Sequence, residues 1–206
     1  MTAEARVTPY IHISWLAKVM TGEMPCQWQA WFQVHHKLRE RVPSGFDEVA
    51  WGVSHQRMVT ELRHTLVETG KRPWVNLPVR ATLPGSGAVL QGAADLAVVD
   101  GDHITIYDCK MGQPRPSHQA QSMIALYALG EDPRWAGRTV QGAVVYGDQQ
   151  AFIPEIPESF TTDLRYFLDL LVGPRPLERA PGDPCRRCPI TVGDCTERQE
   201  RVNFPN

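Results

Sequence analysis

Two aspartates, Asp95 and Asp108, lie on either side of a predicted tight turn. Gly101-Asp102, with glycine first, suits a two-residue type II′ turn between antiparallel strands. Residues that pair across this turn have numbers that add up to 203, so Asp95 would lie directly opposite Asp108, with Cβ atoms about 5 Å apart. If Asp100-Gly101 forms the turn instead, the two aspartates are diagonal neighbours on one face. Both registers predict two carboxylates close together.

This pair of aspartates has the chemistry of a metal site. Lys110 lies two residues beyond Asp108 and projects from the same face of the strand, where its charge offsets the repulsion between the carboxylates. Two carboxylates and a lysine in a partly buried groove offer oxygen ligands to a hard divalent cation such as Mg²⁺ or Mn²⁺. The thiol of Cys109 points to the opposite face, so only its backbone carbonyl lies near the carboxylates. From the hairpin alone, a solvated face or ordinary turn residues explain the pattern equally well.

A second candidate metal site lies near the C-terminus, where Cys185-x2-Cys188 is followed by Cys195. The sequence begins without a charged-then-apolar signal segment, so we expect a cytoplasmic protein. Clustered cysteines in such a protein are more often metal ligands than disulfide partners. Their spacing does not distinguish zinc from a [4Fe–4S] cluster, because both accept four thiolates.

The pattern of apolar residues predicts the elements that position these groups. Predicted helices cover residues 10–20, 26–42, about 117–129 and about 158–172, with one more after Asp47, and predicted strands cover about 74–83, 88–99, 103–109, 139–146 and 149–154. This order is typical of an α/β domain with a central mixed sheet flanked by helices. A proline-rich segment, 173–184, then leads to the cysteines. A chain of 206 residues accommodates one such domain.

The composition excludes several classes of protein. The 21 basic and 23 acidic side chains give a net charge of −2, so any contact with nucleic acid must be local. No apolar run approaches the roughly 20 residues of a membrane span, and we expect no membrane partner. The sequence has no phosphate-binding P-loop, dinucleotide-binding glycine motif or nucleophile elbow.

Taken in chain order, the motifs resemble those of the PD-(D/E)XK nuclease superfamily and, more narrowly, of its RecB-type exonucleases. They are Gly52-Val-Ser-His55, Gly92-x-x-Asp95, Asp108-x-Lys110-x-Gly112 and a helix running from His118-Gln119-Ala120-Gln121 to Tyr127. The resemblance covers about residues 26–195. One early cysteine, Cys26, followed by three late ones is similar to the iron–sulfur members, such as the CRISPR-associated RecB-like exonucleases and the AddB nuclease domain.

The resemblance implies that the hairpin residues hydrolyse phosphodiester bonds. Asp95 and Asp108 would bind the catalytic Mg²⁺ or Mn²⁺, with the backbone carbonyl of Cys109 and His55 as further ligands. Lys110 would orient or deprotonate the attacking water and stabilise the charge that develops on the phosphate.

The helix after the hairpin departs from the family pattern. The family usually has Gln-x-x-x-Tyr, whereas Gln121 is six residues from Tyr127 and Gln119 shares a helical face with that tyrosine. Either Gln119 or Gln121, together with Tyr127, would hold the lysine or the DNA backbone. Met111 stands where the family often has threonine. The remaining histidines, His118 among them, are expected to be core or surface residues.

The function that this resemblance implies is a metal-dependent DNA exonuclease acting on single strands or duplex ends. The whole chain, 1–206, would form one nuclease domain with a core at about 45–172, and Cys26, Cys185, Cys188 and Cys195 would hold a structural [4Fe–4S] cluster. Partners would be DNA and proteins of CRISPR adaptation, and so of antiviral defence, or of recombination and repair. The alternatives are a catalytically silent DNA-binding or scaffolding module and a zinc-stapled endonuclease. One of the six tryptophans could stack on a single-stranded base.

Overall fold

The computed structural model describes residues 2–43 and 45–199. Its strands are β1 (Glu4–Ala5), β2 (Tyr10–His12), β3 (His36–Lys37), β4 (Trp74–Thr82), β5 (Val89–Asp100), β6 (His103–Cys109), β7 (Thr139–Tyr146) and β8 (Gln149–Ile153). Its α-helices are α1 (Ile13–Met20), α2 (Gln27–His35), α3 (Glu48–Glu68), α4 (Pro116–Gly130) and α5 (Glu158–Val172). Short 3₁₀ helices cover Pro133–Trp135 and Asp183–Arg187.

Six of these strands form one mixed sheet. The order is β2-β5-β6-β7-β8, and β4 pairs with β5 as well. The pairs β2–β5 and β6–β7 are parallel, whereas β4–β5, β5–β6 and β7–β8 are antiparallel. The predicted α/β fold with a central mixed sheet flanked by helices is therefore confirmed.

The hairpin between β5 and β6 has the first of the two predicted registers. Leu96 pairs with Tyr107 and Asp100 pairs with His103, so the pair numbers add up to 203. Gly101 has a φ of +58°, a left-handed conformation that suits glycine at the first position of a type II′ turn. The ladder between the two strands ends at Leu96 and Tyr107. The next pair of residues is the pair of aspartates.

Helices cover both faces of the sheet. Successive side chains of a strand point to opposite faces, and both faces carry apolar residues that the helices bury. On one face, Val59 of α3 packs against a small apolar cluster that includes Leu96 and Cys109. On the other face, α4 and α1 pack on the main core, which includes Ala97 and Ile106. Among the described side chains of α3, Val59 alone is buried. This long helix therefore keeps most of its surface in solvent.

Two predicted helices near the N-terminus are shorter than expected. Tyr10–His12 adds a short parallel strand to β5 before α1 begins, and His36–Lys37 pairs with Glu4–Ala5 directly after α2 ends. Hydrogen bonds to strands distant in sequence outweigh the local helical pattern in both segments, which is the usual way in which tertiary contacts override propensity.

The two ends of the described chain meet. Asp194 accepts hydrogen bonds from the backbone N–H groups of Thr2 and Ala3, at 2.7 and 3.1 Å, and from the hydroxyl of Thr2 at 2.6 Å. The C-terminal segment therefore returns to the start of the chain. No helix in residues 2–43 and 45–199 is long and apolar enough to cross a membrane.

Candidate active site

Asp108 lies near the end of β6 and has only 5% of its surface exposed. Its carboxylate accepts a hydrogen bond from Lys110 Nζ at 2.9 Å, with longer contacts of 3.5 Å to Gln121 Nε2 and Ser122 Oγ from α4. Burial raises the pKa of Asp108 to about 6, and the nearby Asp95 adds to the rise, while Lys110 and His55 oppose it. The site therefore holds an anion at a position where water cannot stabilise it.

Asp95 lies beside Asp108, between the part of β5 that pairs with β2 and the part that pairs with β6. Strand β5 pairs with β2 up to Gln91 and with β6 from Leu96 onward. The Asp95 carboxylate accepts a hydrogen bond from the backbone N–H of Cys109 at 2.7 Å. This contact ties the second carboxylate to the end of β6.

His55 approaches the same place from α3. Its Nε2 atom lies 3.1 Å from the carbonyl oxygen of Cys109 and 3.3 Å from Asp95 Oδ2. Because both neighbours are hydrogen-bond acceptors, Nε2 carries a hydrogen in this arrangement and donates it. The hydrogen on Nε2 therefore points towards a carbonyl and a carboxylate oxygen. A metal ion in place of this hydrogen would be stabilised by the same two oxygens and by the imidazole nitrogen.

The donor set fits a divalent metal ion in its chemistry. Two carboxylates and a backbone carbonyl are ligands that Mg²⁺ and Mn²⁺ prefer, and an imidazole favours Mn²⁺. Within residues 2–43 and 45–199, no three His, Cys, Asp or Glu side chains are already arranged around a common ligand position. One of the proposed donors, the Cys109 carbonyl, is a backbone group rather than a side chain. Another, the buried Asp108, forms an ion pair with Lys110.

A family model identifies the chain. The model of the PD-(D/E)XK nuclease superfamily matches residues 14–192, which is most of the sequence. This protein belongs to the PD-(D/E)XK nuclease superfamily. The RecB-like, iron–sulfur subtype stays a prediction.

One solved structure of low sequence identity is also similar to the chain. The solved crystal structure of SSO0001 is similar to the chain with a TM-score of 0.48 and 14% sequence identity, covering 81% of this chain and 76% of that one. No curated protein matches the sequence.

In this PD-(D/E)XK protein, α4 brings Gln121 rather than Gln119 towards Asp108. The side chain of Gln119 is exposed, whereas Tyr127 packs against the main core. A residue that sequence reasoning missed, Ser122, lies fully buried beside the same carboxylate. Its small side chain resembles an ordinary packing residue in the sequence, so no signal there could have identified it.

The start of α4 is held by a carboxylate from the N-terminal segment. Glu23 accepts hydrogen bonds from the backbone N–H of Ser117 at 2.9 Å and from its hydroxyl at 2.7 Å. These bonds satisfy a free donor at the helix N-terminus and hold the pKa of Glu23 below its usual range, although burial opposes the shift. The contact joins the start of α4 to the segment after α1.

A histidine that we expected to have no role also lies near the site. His118 Nδ1 is 3.1 Å from the hydroxyl of Tyr146. Burial lowers the pKa of His118, and Lys110 lowers it further, while burial and the charge of Asp108 raise the pKa of Tyr146. This histidine–tyrosine pair therefore lies within electrostatic range of the catalytic candidates.

The four cysteines predicted to act together line one small cavity, together with Trp28 and Arg179; they are Cys26, Cys185, Cys188 and Cys195. Cys185 is buried and the other three are half-buried. Burial raises the pKa of the Cys188 thiol, and the nearby Cys26 and Cys185 add to the rise. By contrast, the thiol of Cys109 lies in the α3-side core cluster, as expected.

Proposed function

We propose that this PD-(D/E)XK protein is a metal-dependent DNA nuclease, and that it acts as an exonuclease on single strands or duplex ends. One observation carries the proposal. Asp95, Asp108 and Lys110 converge at the end of β6, where His55 also contacts the Cys109 carbonyl. The intact acid-acid-lysine set disfavours a catalytically silent module on the same fold.

The side chains divide the work of phosphodiester hydrolysis among them. Asp95, Asp108, the Cys109 carbonyl and His55 would hold Mn²⁺ or Mg²⁺, which supplies Lewis acidity and makes water a stronger nucleophile. Lys110, 17% exposed and anchored on Asp108, orients the attacking water and stabilises negative charge that grows on the phosphate. Gln121, also at Asp108, keeps the carboxylate and the lysine in place.

A basic groove supports DNA as the substrate. Four cationic side chains line an open groove beside the start of α4, together with the acidic Glu23 and Asp183; the cations are Lys18, Arg115, Arg186 and Arg187. Both Arg115 and Lys18 lower the pKa of His118, as Lys110 does, so the groove and the catalytic lysine share one electrostatic environment. In a protein of net charge −2, this local excess of positive charge suits contacts to a phosphate backbone.

We also propose that Cys26, Cys185, Cys188 and Cys195 bind a structural [4Fe–4S] cluster. Four thiols around one cavity form a donor set that such a cluster, or zinc, accepts. The resemblance to iron–sulfur RecB-like nucleases favours the cluster, and it also suggests CRISPR-adaptation or recombination and repair proteins as partners. The ligands come from both ends of the chain, so the group would fasten the C-terminal segment to α2.

The nuclease assignment is tested by removing the catalytic groups. Protein purified without oxygen is incubated with Mn²⁺ and linear duplex, single-stranded or covalently closed circular DNA. We expect digestion of the linear substrates, survival of closed circles, and loss of cleavage in Asp108→Ala and Lys110→Ala. A matched control is Lys71→Ala, which removes an exposed lysine paired with Asp100 at the far end of the same hairpin. Equal activity of D108A, K110A and the parent would contradict the proposal, and cleavage of closed circles would contradict its exonuclease part.

A further inference from the structure

The first turns of α3 present an exposed aromatic surface. Trp51 is 44% exposed and Phe46, just before the helix, is 57% exposed. The centroids of the two rings are 6.3 Å apart. We name these two residues the aromatic platform. Unlike a single exposed apolar residue, adjoining exposed aromatic side chains form a contiguous patch of the kind that marks an interaction site.

The platform adjoins the active site. The indole of Trp51 stacks on the imidazole of His55, with centroids 4.8 Å apart and an angle of 13° between the ring planes. His55 in turn contacts Asp95 and the Cys109 carbonyl. An exposed indole is therefore separated from the catalytic carboxylates by a single imidazole ring.

The helical spacing separates this platform from the other exposed apolar side chains of α3. Trp51 and His55 are four residues apart and share one face of the helix, the face that meets the site. Val49 and Val53, which are 79% and 68% exposed, are offset by two residues and so lie nearly on the opposite face. Trp51 and His55 therefore lie on the face of α3 that meets the catalytic groups, whereas Val49 and Val53 lie on the face turned away from them.

We propose that Trp51, supported by Phe46, stacks on an unpaired nucleobase of the strand whose phosphate is being cleaved. The inference rests on the proposed nuclease function and deepens it. Base and phosphate of a nucleotide are joined through one sugar, so a phosphate at Asp95 and Asp108 leaves a neighbouring base within reach of an indole stacked on His55. Every base has a π-face, so such stacking tolerates any sequence but requires that the base be unpaired. It thus favours single-stranded ends over intact duplex.

Binding of DNA tests the inference without cleavage. A fluorescein-labelled thymidylate 15-mer is titrated with the full chain in Ca²⁺, and its anisotropy is followed. We expect Trp51→Ala to weaken binding by about 5- to 100-fold, and Trp51→Phe, which keeps an aromatic ring, to weaken it much less. Trp74→Ala is a matched control, because Trp74 is 53% exposed but makes its aromatic contact with Trp135.

A stacked base is distinguished from a merely structural tryptophan by changing the DNA as well. Strands carrying one abasic residue, placed at successive positions, are compared with the intact strand. If Trp51 stacks on a base, one abasic position weakens binding by the parent but has little further effect on W51A. Two results overturn the stacking proposal. One is that, at every position, the abasic residue weakens binding by W51A as much as it weakens binding by the parent. The other is DNA binding by W51A equal to that of the parent. The second result would leave the platform as a contact for a protein partner.

The same experiments separate this inference from the proposed function. A folded parent protein that neither binds nor cleaves any of the DNA substrates overturns both. A parent that cleaves linear DNA, with W51A and the abasic strands behaving as if no stacking existed, overturns only the role of Trp51.

Discussion

Replacing Asp108 by asparagine should stabilise the metal-free protein at neutral pH. The folded protein holds the pKa of Asp108 at about 6, compared with 3.8 for an ordinary aspartate, because burial outweighs the attraction of Lys110. The difference between the two values corresponds to about 3 kcal/mol, which is the cost of keeping the ionised carboxylate in the folded state. Asparagine has nearly the same shape and stays neutral at every pH. Asp108→Asn should remove this cost.

The sign of the effect depends on pH. Below about pH 4 the carboxyl group is protonated in both the folded and the unfolded states and adds nothing to the difference. Between about pH 4 and 6 the folded protein retains a proton that the unfolded chain has released, so the stability of the parent falls as the pH rises. Above about pH 6 the whole penalty is present. The advantage of D108N should therefore grow from near zero to about 3 kcal/mol over this interval.

Urea unfolding in EDTA, at pH 4.5 and at pH 7.5, measures this difference. At the higher pH we expect D108N to exceed the parent by up to about 3 kcal/mol, or by about 6–12 °C in Tm for a chain of this size. Mn²⁺ should stabilise the parent far more than D108N, because the metal relieves the buried charge. Asp100→Asn is the matched control, since Lys71 lowers the pKa of that exposed aspartate and its loss brings no gain.

Two results would contradict this account of Asp108. One is a D108N protein that is less stable than the parent at pH 7.5, which would mean that the ion pair with Lys110 outweighs the burial of the carboxylate. The other is an advantage that does not change between the two pH values, which would assign the effect to packing rather than to charge.

Two further predictions concern the proposed metal groups. Protein purified without oxygen should be brown and contain iron with labile sulfide. Cys26→Ala should lose the colour and the solubility together, whereas Cys109→Ala should keep the colour. A colourless protein with stoichiometric zinc would argue against the cluster. His55→Ala should raise the Mn²⁺ concentration needed for half-maximal cleavage, because the site loses an imidazole ligand, which suits Mn²⁺ better than Mg²⁺. A lower Tm with an unchanged Mn²⁺ requirement would instead make His55 a packing residue.

Short-range patterns in the sequence predicted the hairpin that carries Asp95 and Asp108. Gly101 predicts a two-residue turn at either of two positions, and both registers bring Asp95 towards Asp108; the structure has the one in which Asp100 pairs with His103. Side-chain alternation then places Cys109 on the opposite face, in the α3-side core. These features follow from backbone geometry over a few residues, which any sequence with the same pattern shares. The order of the motifs similarly predicted the superfamily to which the chain belongs.

Only the tertiary structure decided which distant groups meet at that hairpin. The packing of α4 on α1 and the sheet, with Ser117 donating to Glu23 at its start, turns Gln121 and Ser122 towards Asp108 while Gln119 stays exposed. The rotation of a helix about its axis is set by all its packing partners, and a change of two positions turns a side chain to the opposite face. The same holds for the burial that raises the pKa of Asp108, because residues distant in sequence, such as Asp95 and Ser122, come together around this carboxylate.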